Sequence, residues 1–273
     1  MLLVVWACAS WENAMLFRRL FMCSLLAGLC AGLVYSAIQR FQVVPIIAAA
    51  EVFESDPESG RAADDNPSGT ATHQHQEPTW QPQDGAERTF WTVVTNVIGA
   101  TGFALLLIPA LGWWDRQRGS SAASIKSGLL WGAACWLCFF VWPAIGLRPE
   151  LPGEAAAALH ARQAWWLFAV VCAAAGFALL TLVRAKWRWL GVPLLVLPFL
   201  VGVPQSEGPA FARFSDDAAA QMELLKYRFV VATSIASAVH WLVLGAVSGI
   251  VVARWIRPIL APGLGASKLP SIG

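Results

Sequence analysis

Six stretches of the chain run almost without interruption through apolar residues: Leu20 to Ile38, Val94 to Leu111, Ser127 to Ala144, Trp165 to Val183, Leu190 to Val203 and Phe229 to Val252. A surface helix of a water-soluble protein alternates apolar and polar residues every three to four positions. These blocks do not, which is the pattern expected where the surrounding solvent is lipid. At 1.5 Å per residue, all but the Leu190 block are long enough to cross a hydrocarbon core of about 30 Å. The Leu190 block is marginal, and Pro193 and Pro198 within it predict a broken or re-entrant helix.

Only 13% of the 273 residues are charged and 57% are hydrophobic, too little charge to clothe a soluble core of this size. The expected fold class is therefore all-α: a polytopic helical membrane protein of about six transmembrane helices.

Charge placement supports six crossings, because Lys and Arg prefer the cytoplasmic flank of a span. One side receives Arg18, Arg19, Arg116, Arg118, Lys126, Arg184, Lys186, Arg188, Arg254, Arg257 and Lys268, facing only Glu12 and Asp115; the other side takes nearly all the remaining acids. If the Leu190 block did not cross, the basic turn Arg184 to Arg188 would share a face with the acidic segment from Glu207 to Glu223. Both termini are thus expected in the cytoplasm. Trp113, Trp114, Trp187, Trp189 and Trp255 fall at the expected interfaces, where an amphipathic indole sits best.

The expected organisation is an N-terminal extension over 1–14, with Met15 as the natural start, followed by a first transmembrane element over 15–50. A flexible extracytoplasmic loop over 51–88, a five-helix region over 89–257 and a cytoplasmic tail over 258–273 complete it. The loop is rich in Pro, Asp, Gln, Gly and Ser, with almost nothing apolar to bury. Cys135 and Cys138 have the spacing of a metal or redox pair, but within a span they read as small, polarisable packing residues.

An internal echo links two hairpins. Arg88, Trp91 and the run Gly102 to Leu106 recur as Arg162, Trp165 and the run Gly176 to Leu180. Each copy feeds a basic turn and a returning segment, predicting a parallel repeat in which spans two and three echo spans four and five. Gly28 with Gly32, and Gly245 with Gly249, offer close helix approach in the first and last spans.

No phosphate-binding loop, serine-hydrolase elbow or His-Glu-x-x-His motif is present, so neither nucleotide hydrolysis nor a familiar hydrolytic chemistry is expected. No nucleic-acid partner and no permanently bound cofactor are expected; the bilayer is the partner the composition demands. The polar groups that stand out are those suited to a divalent cation in transit. His240 lies mid-span, where an ionisable group is costly unless satisfied or useful; Asn96 is its candidate partner, or else a helix–helix hydrogen bond. Glu51, Glu54, Glu150, Glu154 and His160 gather at the acidic side, and His73 and His75 stand one residue apart in the loop. Carboxylates and imidazoles are ligands that cobalt, nickel or zinc accepts, and an acidic surface concentrates cations. The alternative for each acid is a solvated loop residue, and for the chain as a whole a non-transporting membrane scaffold or assembly subunit.

Several strings together resemble the CbtA family, the proposed cobalt transporter subunit linked to cobalamin supply. They are Met15 with Phe17 to Leu20; Leu26 to Leu29 and Ala31 to Leu33; Gln39, Pro45, Ala50 and Glu51; Trp80, Pro82, Asp84, Gly85 and Glu87 to Thr89; and Pro143 to Gly153, then Arg162, Gln163, Trp165 and Trp166. The Pro-Glu-Leu-Pro-Gly run at Pro149 to Gly153, followed by Arg-Gln-x-Trp-Trp, is the most specific part. The resemblance implies a plasma (inner) membrane permease component for Co2+, or Ni2+, working with a small single-span, histidine-rich companion of the CbtB type. The chain departs from the family pattern in carrying only two histidines in the first outer loop, and Phe199 where a His is expected.

Overall fold

In hydrocarbon no water is available to the backbone, so a chain of this composition must satisfy its amides and carbonyls within itself, and helices do so locally. The computed structural model describes residues 2–55, 82–118, 122–206 and 208–260, and every regular element among them is helical. Helix α1 (Leu2–Ile38) passes through a wide π turn (Gln39–Val43) into α2 (Val44–Ser55). Then come α3 (Ala86–Arg118), α4 (Ile125–Trp136), a second π turn (Leu137–Val141) and α5 (Trp142–Ala144). They are followed by α6 (Leu159–Leu182), α7 (Ala185–Arg188), α8 (Gly191–Val201) and α9 (Asp216–Val251). A last π turn (Val252–Ile256) leads into α10 (Arg257–Leu260).

Each π turn ends two residues before a proline: Pro45, Pro143 and Pro258. Proline lacks an N–H and its ring crowds the carbonyl one turn back; widening the preceding turn relieves the clash without ending the helix.

Five helical stretches are long and apolar enough to cross a membrane: Met15–Glu54, Ala86–Arg118, Ile125–Ala144, Leu159–Leu182 and Asp216–Ile259. Their large side chains point outward. Leu106 and Leu130 are 67% and 72% exposed, a surface suited to lipid. Trp113, Trp187, Trp189 and Trp255 are exposed as well, and Trp114 stacks under the Arg118 guanidinium.

The expected loop over 51–88 is shorter than its composition predicts, because α2 runs on to Ser55 and α3 already begins at Ala86. Glu51 and Glu54 are therefore helical residues. The stretch 2–14, expected as a separate extension, is helical and continuous with the first span.

By its contacts the chain divides into two compact units: Met1–Ala37 with Phe90–Ala134 and Ala238–Gly273, and Ile38–Thr89 with Cys135–Ser237. In the first, glycines set the spacing. A Cβ on Gly32 would meet Val97 Cα of α3 at 2.6 Å, and Gly28 lies equally close to Thr101. Gly245 packs on Gly132 and Gly128 of α4, and Gly249 on Gly128 and Ser124. The small-residue pairs of the first and last spans thus pack within the chain, and α4 supplies a matching pair, Gly128 and Gly132, that the sequence reading passed over.

The second unit resolves the marginal block. Helix α8 has 11 residues, about 16 Å and half a crossing. It lies antiparallel on α6, with Gly191 against Gly176 and Leu195 against the same glycine. At Gly202 the helix ends with φ +98°, a conformation open to glycine, and residues 202–206 continue without helix. Val203 reaches Gly146, and Ala155 N–H donates to the Ala210 carbonyl. The chain thus returns to the end of α6 from which it set out, half as helix and half extended. The block is short of a full crossing, but its helix runs through Pro193 and Pro198 and is ended by Gly202.

The last four carbonyls of a helix have no partner in their own ladder. Here Trp165 Nε1 donates to the Pro198 carbonyl in the last turn of α8, and Trp142 Nε1 adds a donor to the Leu195 carbonyl inside the helix, each at 3.1 Å. Phe199 lies between both indoles, 5.9 Å from each ring. Cys138 is a free, buried thiol packed with Ala173 and Leu195, and Cys135 is free too. The two hairpins of the repeat are packed differently, since Gly176 is covered by α8 while Gly102 has open space beside it.

Gly245→Val should push α4 from α9 and destabilise the protein by about 2 kcal/mol, the ordinary cost of overpacking. Gly102→Ala should be neutral or slightly stabilising. Thermal unfolding of the purified variants in detergent separates the two outcomes.

Candidate functional site

The carboxylates picked out by sequence each face a base. Arg88 grips Glu51 with both terminal nitrogens, at 2.7 and 3.2 Å, and also holds Asp84 at 2.9 Å. Arg213 donates to Glu54 at 2.7 Å, Arg162 pairs with Glu150, and Lys226 pairs with Glu154. Glu154 also accepts the Leu151 N–H, tying down the turn that begins at the Pro149 to Gly153 run. Aromatic rings flank two of these bases: Arg213 lies over Phe214, and Lys226 near Phe211.

Burial grades the pairs. Arg88 and Glu51 are both 37% exposed, so solvent screens their attraction and the net contribution is modest. The Glu154 and Lys226 side chains are 10% and 19% exposed, and removing either would strand a poorly hydrated charge. Arg88 and Arg162, equivalent in the repeat, do the same work: each stands at the start of a long helix and holds a glutamate from the preceding segment.

His240 lies on the buried face of α9. Its ring is 4.8 Å from Tyr35 and hydrogen-bonded to the Ala31 backbone, both on α1, while Nδ1 has no partner. Ser237 and Ser248 are buried on the same helix, and Ser248 Oγ is likewise unpartnered. Asn96 is not the partner of His240; its Nδ2 donates to Ser36 Oγ at 3.0 Å, linking α3 to α1. His160, in the first turn of α6, is exposed. His73 and His75 lie outside the described residues.

Among the described residues no group of three or more His, Cys, Asp or Glu side chains comes together in a way that could hold a metal ion. The predicted ligands are instead distributed as separate ion pairs and one buried imidazole.

Sequence reasoning treated Asp115 only as an exception to the charge rule. It is 3% exposed, and Arg257 donates to it through Nε and Nη2 at 2.8 and 3.0 Å. Ala123 N–H donates to the same carboxylate, and Arg257 Nη2 to the Ala123 carbonyl, so the end of α3, the start of α4 and the end of the last span are stapled together. The bases missed in sequence carried a faint signal in one case, the Arg88 and Arg162 repeat; the others are joined to their acids only by the fold.

Apolar helices of spanning length around a sparse set of buried polar groups define the class: a multi-pass α-helical membrane protein. The chain belongs to the CbtA family, described as probable cobalt transporter subunit, which it matches over residues 17–253. No curated protein and no solved structure shows significant similarity to it.

Arg257→Ala should destabilise the protein by roughly 3–5 kcal/mol, because it leaves Asp115 charged and buried. The pair D115N/R257Q should recover much of that loss, which chemical denaturation of the single and double variants would show.

Proposed function

We propose that the chain is the membrane-embedded subunit of an uptake permease for a divalent transition metal, cobalt foremost, that serves cobalamin supply. The observation that carries this reading is the CbtA match over almost the whole chain. The chemistry of the polar groups supports it. Conduction requires binding favourable enough to admit an ion and weak enough to release it. Glu51, Glu54, Glu150 and Glu154 are each paired with a base, and an arriving Co2+ or Ni2+ must displace a guanidinium or ammonium to be held, so each contact is transient. His73, His75 and His160 offer further imidazoles, and His240 with the buried serines of α9 offers a step within the membrane.

In this reading the protein lies in the plasma membrane with the acidic end outside and both termini in the cytoplasm, as the basic flanks favour. The family's description as a subunit supports a partner; a small single-span companion with a histidine-rich tail, of the CbtB type, fits a protein whose own metal ligands are scattered. No resident cofactor is needed.

The direct test is elemental analysis of cobalt and nickel in a transport-deficient host expressing the chain with and without the companion. Selective accumulation of one metal is expected; none, with both chains in the membrane, would overturn the permease reading. Within it, His240→Leu should lower accumulation several-fold at unchanged membrane insertion, and undiminished uptake would remove His240 from the path.

A further inference from the structure

The most specific stretch of the family resemblance, Pro149 to Gly153 followed by Arg-Gln-x-Trp-Trp, is only partly used by the metal reading. It borders an open cavity of about 490 Å³ between the segment after α5 and the first turns of α6. Arg148, Arg162 and Glu150 contribute the charged part of the lining, and Leu159, Trp166 and Leu167 an apolar wall.

The electrostatics are unbalanced in a definite sense. Glu150 is matched by Arg162, which leaves Arg148 exposed and without a partner among the described residues. Arg162 itself has a spare donor, since its Nε is buried and makes no hydrogen bond. The site therefore carries one net positive charge and unused N–H groups suited to an anionic oxygen. The apolar wall does not stop at the cavity. Leu167 and Val171 are each 57% exposed along α6, and this helix is itself long and apolar enough to span. A cationic pocket over an apolar strip, at the end of a span, matches a phosphate joined to an acyl chain.

We propose that this cavity binds an anionic phospholipid, its phosphodiester held by Arg148 and Arg162 and an acyl chain lying along Leu159, Trp166, Leu167 and Val171. The single net charge favours a headgroup of net charge −1 over a zwitterionic one. Free phosphate would satisfy the arginines but leave the wall uncovered. The site is independent of which ion the protein moves.

The test is thermal unfolding of the full-length protein in detergent with added phosphatidylglycerol, phosphatidylcholine or inorganic phosphate. Phosphatidylglycerol should raise Tm by about 5 °C when present well above its Kd, and the other two should add little. Arg148→Gln, which breaks no contact within the protein, should match the wild type without lipid and lose most of the gain. An equal gain from phosphatidylcholine would reduce the site to its wall, and an equal gain from phosphate would reduce it to an anion site. An undiminished gain in R148Q would place the lipid elsewhere. Each of these three results overturns the proposal.

Discussion

A backbone carbonyl left unpaired in hydrocarbon costs several kcal/mol, and the return limb of the second hairpin meets that demand with side chains. Helix α8 is too short to cross and ends on Gly202, which frees the carbonyls of its last turn halfway through the limb. Trp165 supplies an N–H for Pro198, and Trp142 adds a donor to the Leu195 carbonyl inside the helix. The indoles can reach because glycines make room. A Cβ on Gly146 would collide with the Trp165 ring, and Gly176 lets α8 close onto α6. Prolines, glycines and tryptophans that look scattered in sequence work together: Gly202 ends the ladder, the small residues bring the backbone near, the Trp165 indole supplies a donor to the last turn, and the Trp142 indole ties α8 to the helix before it.

The same accounting governs charge. Asp115 and Arg257 are tolerable at a helix end because each satisfies the other and both satisfy Ala123. The glutamates of the second unit are likewise held by Arg or Lys. An ion pair holds a carboxylate in position, yet leaves it exchangeable where solvent reaches it, as at Glu51 and Glu54. That state differs from a closed metal site, in which several ligands converge and release is slow. A carrier needs the first arrangement and a metalloenzyme the second, so distributed pairs sit more naturally with the CbtA assignment than convergent ligands would.

Much of the architecture was legible because hydrocarbon simplifies the code. Uninterrupted apolar blocks mark the spans, and the shortest block is the one whose helix falls short of a crossing. The site was less legible because its partners are set by tertiary structure. Glu51 meets Arg88 across the long loop, Glu54 meets Arg213 from a distant part of the chain, and no local pattern announces either. Asp115 was read as a stray acid because its partner lies beyond the last span. The pairing of Gly28 and Gly32 with α3, and of Gly245 and Gly249 with Gly128 and Gly132, needed helix neighbours that sequence spacing does not identify.

Satisfaction also separates structural from functional polarity inside the membrane. Asn96 donates to Ser36, and Ser36, Ser24 and Thr101 return their hydroxyls to the carbonyls one turn back. These bonds tie the polar groups to the helices that carry them. His240 differs, with one face of the ring against Tyr35, a hydrogen bond to Ala31, and Nδ1 unspent in a buried position. Ser248, two turns further along the same helix, is unspent as well. Thr233 of this helix keeps an unpartnered hydroxyl too, so the last span holds several unspent polar atoms, and under the proposed permease reading these are the contacts a moving ion would meet.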